Sequence, residues 1–285
     1  MLLQLSRLGS MHDVAEVMHV TTSTVSQQIA ALAREVGTPL VEPTGRRVRL
    51  TPAGTRLAEH AVRILADIEA ARVDLDPTAE PAGVLRVAAF ATAVRRSLLP
   101  VARRLAEQHP DVRLLIHEHE PAEALSLLAA DDVDLALTYD YNLAPATFDA
   151  AVTPVPLWAT AWSLGVPAGS GSRRGDALAI FDDVREQDWI VNSRNTADED
   201  VVRTVASLAG FRPRIAHRAD SLDLVQDMIV AGLGVALLPA EQPTVPGVTL
   251  RALTGPDVML RSYAVTRRGR EAWPPLALLR RLLAH

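Results

Sequence analysis

The chain contains no cysteine and no lysine. Without cysteine there are no disulfides, no thiolate metal ligands and no thiol-based redox switch. All 29 basic residues are therefore arginine, which removes any phosphate-loop or Schiff-base lysine. Long apolar runs are missing too. The most apolar stretch, Met228 to Ala240, is too short and too broken by glycine to cross a bilayer as a helix. No signal-peptide pattern opens the sequence, because its first leucines alternate with Gln4, Ser6 and Arg7 and no small-residue cleavage site follows. These absences describe a cytoplasmic protein with no membrane partner. What is present, 285 residues of which 48% are hydrophobic, suffices for two or more domains. The formal charge of −5 speaks against nucleic acid only on average. Between Thr44 and Ala58 stand Arg46, Arg47, Arg49 and Arg56 with no acidic residue, a local basic patch.

The first fifty residues read as helices separated by short breaks. Leu2, Leu5 and Leu8 share one face, Gly9 and Ser10 interrupt, and Met11 to Met18 resumes the apolar period. Thr21 or Thr22 can cap the next helix, which Gly37 ends. At helical spacing Val25, Ile29, Leu32 and Val36 face a core. Ser23, Gln27, Ala30 and Arg34 point away, flanked by Thr22 and Ser26 near the N-terminus. Small hydroxyl and amide side chains at a helix start suit entry into the major groove, where they can read base edges. Two short β segments, Leu40 to Val41 and Val48 to Leu50, joined through Pro43, Thr44 and Gly45, complete a winged helix-turn-helix plan.

From Pro52 a long helix is predicted to about Leu75. Leu57, Ala61, Ile64, Leu65 and Ile68 form a near-heptad stripe on it that needs a partner. The segment DPTAEPAG (76–83) reads as a hinge and GSGSRRG (169–175) as an exposed loop. Beyond the hinge, strands alternate with helices, as in an α/β domain with a largely parallel sheet. The domain expectation is a DNA-binding head at 1–51, linker helix and hinge at 52–83, and a regulatory part at 84–285.

At this point the residues acquire a family likeness. LLQLSRLGSMHDVAEVMHVTTSTVSQQIAALAREVGTPLVEPTGRRVRLTPAG resembles the N-terminal signature of LysR-type transcriptional regulators, and DDVDLAL (131–137) and AGFRPRIAHRADSLDLVQDMIVAGLGVALLP (209–239) resemble its effector domain. The resemblance implies that Thr22, Ser23, Ser26 and Gln27, with Arg34 alongside, meet double-stranded DNA, while Arg46 and Arg47 in the wing follow phosphate or the minor groove. It implies a homodimer or homotetramer paired through the linker helix. It also implies a regulatory domain like the periplasmic solute-binding proteins, with lobe I at about 84–158 and 256–285, lobe II at about 159–255, and a small molecule between them. Open α/β sheets expose backbone amides and helix starts at the ends of their strands. On that ground Thr92, Ala93, Asn192, Ser193, Arg194 and Ser221 become effector contacts suited to an anion, with Tyr139 and Trp158 as aromatic walls.

Other chemistry finds less support. His117 and His119 of HEHE would share a strand face, but two ligands do not make a metal site. Neither a GxSxG elbow nor a complete GxGxxG loop is present. Asp131 with Asp132, and Asp198 to Asp200, read as solvated helix ends. No cofactor and no catalytic residue are assigned. A metal-responsive regulator using His117 and His119, or a ligand-binding or enzymatic module with an assembly domain, are the alternatives.

Overall fold

The computed structural model describes residues 1–44, 47–75, 80–170 and 175–284. Gly45 and Arg46 of the wing, the first half of the predicted hinge and most of the GSGSRRG segment lie outside the described residues.

Local capping chemistry sets the head. Helix α1 (Leu2–Leu8) ends at Gly9 in a left-handed conformation, φ 67°. Ser10 then caps α2 (Met11–Val17), its hydroxyl accepting from the amides of His12 and Asp13 at 3.2 and 3.4 Å. Thr21 caps α3 (Thr22–Glu35), accepting from the Thr24 amide at 3.2 Å. Leu2, Leu5, Val14, Val25, Ile29 and Leu40 close one core, joined by Ala58 of the linker helix. Val36 departs from the expected inward face: it is the C-cap of α3, 43% exposed, because the chain turns away there. Strands β1 (Val41–Thr44) and β2 (Arg47–Leu50) pair antiparallel as the wing.

Helix α4 (Pro52–Leu75) has two apolar faces. Ala58, Val62 and Ala66 are buried against the protein's own chain, whereas Ile64, Leu65 and Ile68 are exposed. Leu57, expected in the pairing stripe, packs instead on the core of the head.

The regulatory part begins with β3 (Gly83–Ala89), a short turn α5 (Ala91–Ala93), a π-helical turn over Val94–Leu98 and α6 (Leu99–Gln108). Then come β4 (Val112–Glu118), α7 (Pro121–Ala129), β5 (Leu135–Tyr141) and β6 (Val152–Pro167). Next are α8 (Ala177–Asp183), β7 (Asp188–Val191), α9 (Ala197–Leu208), β8 (Arg214–Arg218) and α10 (Leu222–Val230). The chain closes with β9 (Ala236–Pro239), β10 (Val248–Ala252), β11 (Met259–Arg267) and α11 (Pro274–Leu283).

The main sheet runs β10-β6-β11-β5-β3-β4, with β9 also on β6. It is mixed rather than largely parallel: β3 pairs parallel with β4 and β5, but β11 pairs antiparallel with β5 and β6. Strand β6 joins two lobes. Its first part pairs with β11, and its last part pairs with β9 and β10, beside the parallel pair β7-β8. The sequence predicts this strand only from Ala159, past Pro154 and Pro156. Both prolines pair across to β11 while β10 reaches only from Ser163 onward, so their missing N–H groups cost no ladder bond on the open side.

Candidate functional site

Two surfaces could carry function. The first is the start of α3. Thr22, Ser23, Ser26, Gln27 and Arg34 lie at or near the surface, while Val25 and Ile29 on the opposite side are buried. The helix start thus projects hydroxyl and amide groups outward from a head whose core is already filled. Arg49 of the wing is engaged with Glu42 at 2.6 Å. Arg47 lies on β2, and Arg46 falls outside the described residues.

The second surface is a cavity of about 270 Å³ between the lobes. It opens where β3, β4, β7 and β8 end, and both lobes contribute to its walls. Phe90, Tyr139 and Trp162 supply aromatic surface, extended by an edge-on stack in which Phe90 meets Tyr139 at 4.7 Å and Tyr141 meets Trp162 at 5.5 Å. Of the effector contacts read from the sequence, Thr92, Tyr139, Asn192 and Ser221 line this space.

The others do not. Ala93 is buried behind the lining. Trp158 faces a separate groove, where its indole donates to Ser97 at 2.9 Å and Arg96 stacks on it at 4.5 Å. Ser193 donates its amide and hydroxyl to Asp220, at 3.0 and 2.5 Å. Arg194 bridges from lobe II to Glu123 of lobe I, its Nε at 3.2 Å, and lies 3.6 Å from Asp220. That guanidinium holds Glu123 down at about 2. The loop expected to present donors to an anion therefore spends them on the protein's own carboxylates.

What the cavity offers instead is acid. Glu118, Glu120, Asp198, Asp220 and Asp223 line it, and Arg95 is the one basic side chain among the described residues of its lining. Glu120, 7% exposed, accepts from the Tyr139 hydroxyl at 3.0 Å and from the Asn195 side-chain amide. Asp198 accepts from the Tyr141 hydroxyl at 2.9 Å. Burial pushes both carboxyls up, Asp198 to about 7, and their neighbouring carboxylates push the same way. An anion entering here would meet like charge at low dielectric. The walls thus carry more acidic than basic side chains, where the sequence suggested donors for an anion.

Sequence reasoning misses these acids. Asp198 reads as a solvated helix end, although the first turn of α9 leans against the cavity. In HEHE the histidines draw attention away from the carboxylates beside them. Glu118 and Glu120 line the cavity, while the His117 and His119 rings lie 6.4 Å apart outside it and His119 bonds Glu123. Among the described residues no group of three His, Cys, Asp or Glu side chains is placed to hold a metal ion. Asp131, also expected to be solvated, is buried between Arg7 of α1 and Arg267 of β11.

Comparison with known proteins covers the two regions that carry these surfaces. Residues 1–55 match the family of bacterial regulatory helix-turn-helix proteins of the LysR type, and residues 78–285 match the LysR substrate binding domain. The chain belongs to the LysR family. Its relatives include a "Probable hydrogen peroxide-inducible genes activator" of Mycobacterium avium, 32% identical over 90% of this chain and 79% of the relative. Another is the transcriptional dual regulator GltC of Bacillus subtilis, 25% identical over 95% and 93% of the two chains. In fold it is similar to a full-length OxyR variant from Pseudomonas aeruginosa, with a TM-score of 0.69, 21% identity and coverage of 99% and 91%. It is also similar to full-length CbnR complexed with its target DNA, with a TM-score of 0.55, 21% identity and coverage of 99% and 96%. Like the proteins it matches, this LysR-family chain is a transcriptional regulator with a DNA-binding head and an effector-binding domain, not an enzyme. Among the described residues, no helix is long and apolar enough to cross a membrane.

Proposed function

We propose that this regulator reads duplex DNA in the cytoplasm through the N-terminal half of α3, with Thr22, Ser23, Ser26 and Gln27 at base edges and Arg34, Arg46 and Arg47 along phosphate. The observation that supports this reading is the exposed polar start of α3, held out by a helix whose opposite face is buried. Hydroxyl and amide groups supply selectivity, and guanidinium groups supply salt-dependent affinity. One head offers few such contacts, so affinity is recovered by pairing two or four copies. The linker face carrying Ile64, Leu65 and Ile68, with Ala61 beside them, is the surface proposed for that pairing.

The regulatory part, 84–285, binds a small effector between its lobes, and that effector biases the relative position of two heads on DNA. The Mycobacterium avium relative is named for peroxide induction. In this chain a thiol cannot be the trigger, because there is no cysteine.

A mobility-shift titration with DNA from upstream of its own gene, at about 50 and 200 mM salt, tests the reading. Affinity should fall by at least roughly tenfold between the two salts, as expected when several phosphates are neutralised. Replacing Ser26 and Gln27 with alanine should remove preference for the specific fragment over a scrambled one. Sequence preference that survives the double variant would place the reading surface elsewhere.

A further inference from the structure

The cavity between the lobes has a property that membership of the family does not supply, namely the sign of its charge. Five acidic residues line it against Arg95, which is exposed. The distribution across the cleft matters as much as the sum. Glu118 and Glu120 come from lobe I, whereas Asp198, Asp220 and Asp223 come from lobe II.

Buried carboxylates are ordinarily met by a cation of the protein. Asp140 and Asp134 follow that rule, paired with Arg261 at 2.7 Å and with Arg270 at 3.3 Å. Glu120 and Asp198 do not. Their hydrogen-bond donors are neutral, two tyrosine hydroxyls, the Asn195 side-chain amide and the Glu123 backbone amide, and no guanidinium or imidazole among the described residues comes within ion-pairing distance of either. Trp162, 6% exposed, lines the same cavity, and an aromatic face there attracts a cation.

We propose, building on the reading of this cavity as the effector site, that it takes a small organic cation, an ammonium or guanidinium carried on a short apolar body, with Glu120 and Asp198 as its counter-charges. The volume of about 270 Å³ limits the ligand to a small metabolite, since drug-sized sites begin at about 300 Å³. Phe90, Tyr139 and Leu260 provide apolar and aromatic surface for the body, and aromatic faces attract cations in their own right. An inorganic ion fits less well, because no cluster of three ligating side chains is preassembled among the described residues. Binding such a cation also does work on the protein. Glu120 and Asp198 already tie the lobes together through Asn195 and Tyr141, and a cation shared between them favours lobe closure further.

The probes are 1,4-diaminobutane and n-butylamine, compared with their carboxylate counterparts succinate and butyrate. Each is titrated calorimetrically into the full-length protein at about pH 8, above the value of about 7 to which burial raises Asp198. The variants are Glu120→Gln and Asp198→Asn, which keep shape and can still accept from the tyrosines, with exposed Glu107→Gln as the control. The expected result is that one or both amines bind, at least roughly tenfold more weakly in each cavity variant and unchanged in the control, while the carboxylates do not bind. Three results would overturn the proposal: no amine binding, amine binding unaffected by either variant, or carboxylate binding that strengthens when the acids are removed. Comparing amines with carboxylates on the unaltered protein requires no variant to fold. Because calorimetry needs no DNA, loss of DNA binding would defeat the regulator reading while leaving the cation result intact.

Discussion

Asp198 is the residue whose chemistry departs most from its sequence context. In an unfolded chain an aspartate ionises near about 3.9, whereas burial raises this one to about 7, with Glu120 and Asp220 adding to the rise and the Tyr141 hydroxyl opposing it. Between those two values the native state keeps a proton that the unfolded state has released. Stability from this group is therefore full below about pH 4, declines as the pH climbs toward 7, and remains low above it. Each tenfold change in proton affinity is worth about 1.4 kcal/mol, so the decline is at most about 4 kcal/mol. Asp198→Asn should accordingly raise Tm at about pH 8 and change it less at about pH 5, as thermal melts at the two pH values would show. A variant no more stable at the higher pH would mean that the carboxylate is already well solvated. The same substitution should weaken amine binding, so stability and ligand recognition pull this position in opposite directions.

At the scale of elements, legibility varies with how local the physics is. Helix α3 can be read almost whole, because a capping hydroxyl at Thr21 and apolar residues at helical spacing are properties of neighbouring residues. Even there Val36 escapes, since periodicity does not say where a helix stops being covered. Strand β6 is half hidden by Pro154 and Pro156, whose tolerance depends on which partner strand is absent beside them. Helix α8 and strand β10 also escape, α8 because the segment between Ala144 and Asp188 carries only a general strand pattern. The cavity acids cannot be read at all: Glu120 starts α7 and Asp198 lies in the first turn of α9, and nothing in either stretch announces that two helix starts converge on one space. The linker helix gives a mixed outcome that can be tested. Ile64 and Leu65 remain 54% and 52% exposed, while Leu57 has been taken by the head. Replacing Ile64 and Leu65 together with aspartate should leave the monomer folded and, if this face pairs copies, shift sedimentation from dimer or larger toward monomer, with DNA affinity falling at least roughly tenfold. Unchanged sedimentation would assign assembly to another surface.

Across the whole molecule, helix α7 touches both functional regions. At its N-terminus Glu120 and Glu123 form a reciprocal cap, with Glu120 in the cavity and Glu123 held by Arg194 from the other lobe. Just past its C-terminus Asp131, in a left-handed backbone conformation, is clamped between Arg267 of the regulatory part and Arg7 of the DNA-binding head. Asp131→Asn should leave amine affinity unchanged by calorimetry but alter how strongly an amine changes DNA binding in the mobility shift. An identical amine response in the variant would show that the signal travels by another route. The nine residues of α7, at about 1.5 Å each, span roughly 14 Å without a joint. A tug on the carboxylate at one tip would then reach the guanidinium at the other as displacement of a stiff lever arm, which is the movement the Asp131→Asn variant is expected to uncouple from the head.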